Sequence, residues 1–188
     1  MDIESNVVIC TDVPVDPLLI TRFNQQLESL FYIYRNHYDK YQRGYAYSTV
    51  DDPYAIMQIP EFMDIFRALT PYIIYCATNL GIYKDRHIDI VRAWCNKMFK
   101  GSSGSTHAHE SCDMVAIFYL KAEKDSGKIF FTTVEQPFLF DEQIENKDKY
   151  YVNIQTNTLI CHDAKLFHGI KEHTIDEPRI CMILDLKF

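Results

Sequence analysis

The hydrophobic period of this chain changes at Gly81, and that change constrains the fold more than any single motif. Before it, apolar residues recur at helical spacing. Asp16 stands where an N-cap belongs, with Pro17 at the first helical position. Leu19, Phe23, Leu27, Leu30 or Phe31, and Tyr34 then form one stripe. A second stripe begins near Pro60 with Phe62, Phe66, Leu69, Ile73, Cys76 and Leu80, and Gly81 is its stop. Thr70-Pro71 inside that stretch predicts two helices or a kink, because proline lacks an N–H and crowds the carbonyl one turn back.

After Gly81 the pattern alternates. Ile88, Ile90, Arg92 and Trp94 fall on one face of a strand; Val91, Ala93 and Cys95 fall on the other. Val7–Cys10, Val115–Lys121, Lys128–Thr133, Tyr151–Ile154, Thr158–His162 and Ile180–Phe188 are further strand candidates. Such a series predicts an α+β, mainly β fold: a small sandwich or jelly roll packed on N-terminal helices. The 188 residues fit one domain, with helical support over about 14–82 and a jelly-roll core over about 86–188. Pro137–Lys149 is acidic and polar and reads as a surface loop or lid.

Composition narrows the function classes. Twenty-six acidic residues against 19 Lys and Arg give a formal charge of -7, which offers nothing to counterion release and argues against a nucleic-acid partner. No apolar run reaches membrane-spanning length, and Met1-Asp2-Ile3-Glu4 lacks the basic and apolar parts of a signal peptide. Six cysteines without a C-x-x-C pair suit reduced, mostly buried thiols, so a cytoplasmic location is expected.

The chemistry gathers around histidine. His107 and His109 are i and i+2 before an apolar strand, so in an extended segment both side chains face one ion. His168 lies at the turn after Leu159–Phe167, and Arg179, eleven residues on, opens the last strand as a fork for a carboxylate. His162 reads as a hydrogen-bonded structural histidine, His37 and His87 as solvated, and His173, in a polar stretch, as exposed. Gly101-Ser102-Ser103-Gly104-Ser105 lacks the ending of a phosphate loop and reads as a flexible entrance to the metal motif. The aromatic stripe Phe31, Tyr32, Tyr34, Tyr38, Tyr41, Tyr45 and Tyr47 is mostly packing, with part of it a candidate channel lining.

Trp94-Cys95-Asn96, Gly101, His107-Ala108-His109, Ile117–Leu120, Gly127–Phe131, His168-Gly169 and Arg179 together resemble the 2-oxoglutarate/iron(II) oxygenase family with an H-x-H motif, small proteins similar to prolyl hydroxylases. Tyr47-Ser48 and the Pro60–Gly81 helices look like that family's helical support, so the resemblance covers most of the chain. It implies a double-stranded β-helix, cupin-like, whose open end holds Fe(II). His107 and His168 would be two iron ligands, and Arg179 with Tyr119 would hold the remote carboxylate of 2-oxoglutarate. Asn96 would help position substrate or cosubstrate, or else stabilise a turn. The implied reaction couples decarboxylation of 2-oxoglutarate to hydroxylation with dioxygen.

One departure stands out. Related enzymes place a carboxylate two residues after the first histidine, where this chain has His109. Three neutral imidazoles leave iron one negative charge short. His109 is the expected third ligand, with Asp113 or Glu110 as alternatives. Tyr119 has core packing as its competing role. A cupin-like three-histidine metalloenzyme that ignores 2-oxoglutarate is the rival activity, and a non-catalytic binding module a further one. The substrate would be a free amino acid, a peptidyl residue or a small metabolite. A homodimer is compatible with the sequence, though no heptad marks an interface.

Overall fold

In the computed structural model, which describes residues 3–33, 42–83, 87–124 and 126–188, the first helix starts where the sequence places it. Asp16 Oδ1 accepts the Leu18 N–H at 2.9 Å and caps α1 (Pro17–Ile33). Leu19, Ile20, Phe23, Leu27 and Phe31 of α1 are buried. The second helix, α2 (Glu61–Asn79), is one helix and not two. Pro71 sits on its exposed face, where water can satisfy the carbonyl that proline leaves without a partner, and the Thr70 hydroxyl donates to Phe66 O at 2.8 Å. Phe62, Ile65, Phe66, Leu69, Ile73, Cys76 and Ala77 bury one continuous face across that point.

The described strands, in chain order, are β1 (Val7–Cys10), β2 (Gln42–Arg43), β3 (Ala46–Ser48), β4 (Asp89–Met98), β5 (Ser103–His107), β6 (Met114–Lys121), β7 (Lys128–Thr132), β8 (Lys149–Asn153), β9 (Leu159–Asp163), β10 (Phe167–Ile170) and β11 (Arg179–Lys187). They form two antiparallel sheets, one ordered β1-β9-β6-β11-β4-β3 and the other β2-β5-β10-β7-β8. This is the expected α+β jelly roll on a helical support.

The larger sheet is covered on both faces, which explains why Met114–Leu120 is continuously apolar instead of alternating. Ala116, Phe118 and Leu120 pack with the helices in one core, whereas Val115, Ile117 and Tyr119 join Ile129, Phe131 and Val152 in the core between the sheets. Strand β11 obeys the same parity: Ile180, Met182 and Leu184 face the helices, while Cys181 and Ile183 face the other sheet. By period two, Arg179 and Asp185 share that inner face.

Two loops of the sequence reading take another form, and a third is a surface loop held at several points. Ser103–His107 is a strand, paired with β2 and β10, and Ser102, Gly104, Ser105 and Thr106 are buried, so this is no flexible entrance. His168 lies on a strand and not in a turn. The small residues here serve close approach: a Cβ on Gly169 would meet Phe130 Cζ at 2.5 Å and Gly104 O at 3.0 Å. The Pro137–Lys149 segment is tied down, with Thr106 N–H donating to Leu139 O at 2.7 Å and Phe140 and Ile144 buried.

His87 is exposed, and Tyr45, Tyr47 and Phe99 pack ring against ring, with Phe31 against Tyr47. His37, Tyr34, Tyr38, Tyr41 and the Tyr32 side chain lie outside the described residues. Among the described residues no helix is long and apolar enough to cross a membrane.

Candidate active site

The pairing of β5 with β10 sets His107 directly opposite His168, an antiparallel cross-strand pair with ring centroids 4.4 Å apart. His109 follows two residues after His107, 5.3 Å from each of the other rings. Ligand atoms of His107, His109 and His168 all lie within 4.8 Å of one another. The sequence-derived trio is therefore brought together, two members by strand register and one by the i, i+2 rule.

Each ring is oriented by its Nδ1. His107 Nδ1 donates to Ser105 O at 3.0 Å and His168 Nδ1 to Leu166 O at 3.3 Å. His109 Nδ1 meets Asp185 Oδ1 at 2.6 Å. Among the described residues the His109 Nε2 is buried with no hydrogen-bond partner, on the side of the ring away from the Nδ1 that meets the carboxylate. Burial, then the neighbouring imidazoles of His107, His162 and His109, push the His168 pKa well below its usual value, so this ring is held neutral. Oriented neutral imidazoles with the second nitrogen tied to a carbonyl or carboxylate are what a divalent transition metal requires.

Asp185 is the residue that sequence reasoning missed. It is fully buried and accepts from Arg92 at 2.9 Å as well as from His109. Burial raises its pKa, but the bonds and charges of His109 and Arg92 outweigh that and hold it below the usual carboxylate value. The alternatives Glu110 and Asp113 are both exposed, and Asp113 is used by the Phe188 N–H at 3.0 Å. The carboxylate of the site thus stands one imidazole behind the centre. Its only advance signal was an acidic residue in the otherwise apolar run Ile180–Leu186.

A cavity of about 400 Å³ opens beside the histidines and includes Trp94, Asn96, Tyr119 and Arg179 in its walls. Arg179 is only 1% exposed. Its Nη1 donates to Ser126 O at 3.1 Å, its Nη2 lies 2.8 Å from Met98 Sδ, and its Nε is buried without a partner. Among the described residues no carboxylate pairs with it, and an uncompensated buried guanidinium calls for an anion. Tyr119, 2% exposed, faces the same cavity; burial drives its hydroxyl far above its usual pKa, so it is a donor. Asn96 sits on β4 against Cys181, its Oδ1 accepting from Ser48 Oγ at 2.6 Å.

Two further histidines are buried. His162 is held by Nδ1 on Asp163 O at 2.8 Å, and its ring lies 4.5 Å from that of His168. Burial, then His109, lowers its pKa to about 3. His173, read from its polar neighbours as exposed, is fully buried, with Nδ1 on Ser126 O at 2.5 Å and Nε2 on Glu177 O at 2.7 Å.

Residues 92–185, half of the chain, match the family model described as "Putative 2OG-Fe(II) oxygenase". The fold is similar to that of HygX from Streptomyces hygroscopicus with nickel and 2-oxoglutarate bound, at 12% identity over 97% of this chain and 83% of that one, with a TM-score of 0.67. It is similar too to SnoK, a non-heme alpha-ketoglutarate-dependent carbocyclase from nogalamycin biosynthesis (12% identity, 96% and 79% covered, TM-score 0.67). A Pseudomonas putida prolyl-4-hydroxylase matches at 9% identity, 96% and 92% covered, with a TM-score of 0.60. No curated protein sequence matches the chain.

Proposed function

The chain belongs to the 2-oxoglutarate/iron(II) oxygenase family, and on that premise we propose that His107, His109 and His168 hold the iron while Arg179 and Tyr119 hold the remote carboxylate of 2-oxoglutarate. The protein is a non-haem oxygenase with Fe(II) and 2-oxoglutarate as its cofactors. The observation that carries the site assignment is the three-histidine cluster lining one cavity with a buried guanidinium that has no carboxylate partner among the described residues.

Iron, when bound, supplies oxygen activation coupled to oxidative decarboxylation of 2-oxoglutarate. The chain's own residues do the rest. Three imidazoles supply neutral nitrogen donors, and their Nδ1 contacts fix which nitrogen faces the centre. Asp185 offsets the missing ligand charge by drawing on the His109 Nδ1–H, which makes the opposite nitrogen a stronger donor. Arg179 forks onto the remote carboxylate with Tyr119 donating beside it. Ile117, Ile129 and Ile183 line the cavity and exclude water from the oxidising centre.

Asn96 is assigned to positioning cosubstrate or substrate from β4. The substrate is a free amino acid, a peptidyl residue or a small metabolite, hydroxylated with dioxygen by a single cytoplasmic oxygenase domain spanning residues 1–188. A homodimer is compatible with this reading.

Anaerobic titration of the metal-free protein with iron(II) and 2-oxoglutarate tests the assignment through the visible metal-to-cosubstrate charge-transfer band. A band that needs both components and is lost in Arg179→Ala and in His168→Ala supports it. Metal binding without the band would move the site to three-histidine chemistry that ignores 2-oxoglutarate.

A further inference from the structure

His173, five residues after His168 and outside the histidine trio, lies against the wall that holds the guanidinium of Arg179. Ser126 O accepts both His173 Nδ1–H, at 2.5 Å, and Arg179 Nη1–H, at 3.1 Å, so the two side chains share one carbonyl. The other ring nitrogen meets Glu177 O at 2.7 Å. Both partners are backbone carbonyl oxygens, which accept from the ring and hold it at both ends.

The His173 backbone joins a third segment. Its N–H donates to Ser102 O and its O accepts from the Gly101 N–H, both at 2.8 Å. One residue therefore ties the segment before β5, the segment before β7 and the segment before β11. Arg179 stands in the middle of these, with Met98 Sδ on its far side. Gly127, next to the shared carbonyl, has φ +96°, and a Cβ there would lie 3.1 Å from Arg179 Nη1 and 3.2 Å from Glu172 O. Only glycine brings this wall so close to the guanidinium. A long arginine side chain has several rotatable bonds, and an aimed fork binds a carboxylate better than a searching one.

We propose that His173 is a positioning residue for the cosubstrate: it locks the wall that aims Arg179 at the remote carboxylate of 2-oxoglutarate. The inference rests on the assignment of Arg179 above. It separates from a merely structural role by chemistry, because His173 acts only on the end of the cosubstrate that Arg179 holds. Pyruvate carries the same keto-acid head and has no remote carboxylate.

The test is anaerobic binding of 2-oxoglutarate and of pyruvate to the iron(II)-loaded protein, followed by the charge-transfer band, for wild type, His173→Gln and His173→Phe. The expected result is about tenfold weaker 2-oxoglutarate binding with iron and pyruvate affinities within about twofold of wild type. His173→Gln, which keeps one donor, is expected to lose less than His173→Phe, and it carries the test if the phenylalanine variant does not fold. Equal weakening of pyruvate, unchanged 2-oxoglutarate affinity, or failure of both variants to fold would overturn the proposal. Arg179→Ala distinguishes the two levels: if it leaves 2-oxoglutarate binding intact, the Arg179 assignment falls; if it alone weakens binding, only the role of His173 falls.

Discussion

Asp185 and His109 lie 76 positions apart and meet through a 2.6 Å hydrogen bond with neither side chain open to solvent. The carboxylate fixes the ring by its Nδ1 and leaves Nε2 toward the other two histidines. Asp185→Asn keeps an acceptor and removes the charge, and a carboxylate behind a ligating imidazole is worth about 10–100-fold in metal affinity. The variant is expected to bind iron(II) weaker by that factor, measured by competition with a chromophoric chelator. Unchanged affinity would separate Asp185 from the metal centre.

Trp94 is the one tryptophan of the sequence and stacks on His109, with centroids 5.8 Å apart and planes 18° apart. Its intrinsic fluorescence therefore reports on the site. Adding nickel(II) or iron(II) to the metal-free protein is expected to quench it with one saturable phase. His109→Ala is expected to remove that phase, and quenching that survives the substitution would place the ion elsewhere.

Pro71 lies within the continuous helix α2 on its exposed face, and Pro71→Ala restores one backbone hydrogen bond in a helix whose apolar side is already packed. Relief of the helix-interior penalty exceeds the entropy returned to the unfolded chain, giving a gain of about 1–2 kcal/mol. Urea unfolding should show a higher midpoint at unchanged slope.

Asp141 accepts from Tyr151 OH at 2.6 Å and from Lys149 Nζ at 2.9 Å, with Lys171 Nζ 3.8 Å away. Burial pushes its pKa up, but the Tyr151 and Lys149 bonds and the two lysine charges overcome this and hold it below 3.8. A carboxyl depressed by folding contributes stability that is present above its unfolded value and is lost as pH falls through its folded value. The thermal midpoint should therefore drop on acidification below about pH 4. Asp141→Asn should be less stable at neutral pH and show a smaller part of that acid drop, read by calorimetry across pH 2–7.

The parts of the site legible in the sequence were those fixed by local rules. His107 and His109 follow from the two-residue repeat of a strand and Arg179 from the order of histidines and arginine along the chain, whereas Tyr119 took its role only from the family resemblance, its neighbours alone reading as core. Asp185 escaped because its meaning lies in partners 76 and 93 residues away, His109 and Arg92. His173 was misread for a similar reason: polar neighbours suggested solvent, whereas two other segments and its own connection close over it. The small polar run Gly101–Ser105 carries no strand signal of its own, and pairing with β2 and β10 imposes one. Both helix stripes were readable, but the solvent-facing placement of Pro71, which lets one helix run through it, was not.

Strand β11 carries Arg179 and Asp185 on the same inner face, about 20 Å of extended chain apart. One displacement of register would turn Ile180, Met182 and Leu184 inward and send both charged residues to the helix side. On the proposed assignment, the grip on the cosubstrate and the orientation of the His109 ring are consequently set by one seating event. A mis-seated β11 would keep the histidine trio, none of which it carries, yet lose Arg179 and the carboxylate behind His109 together.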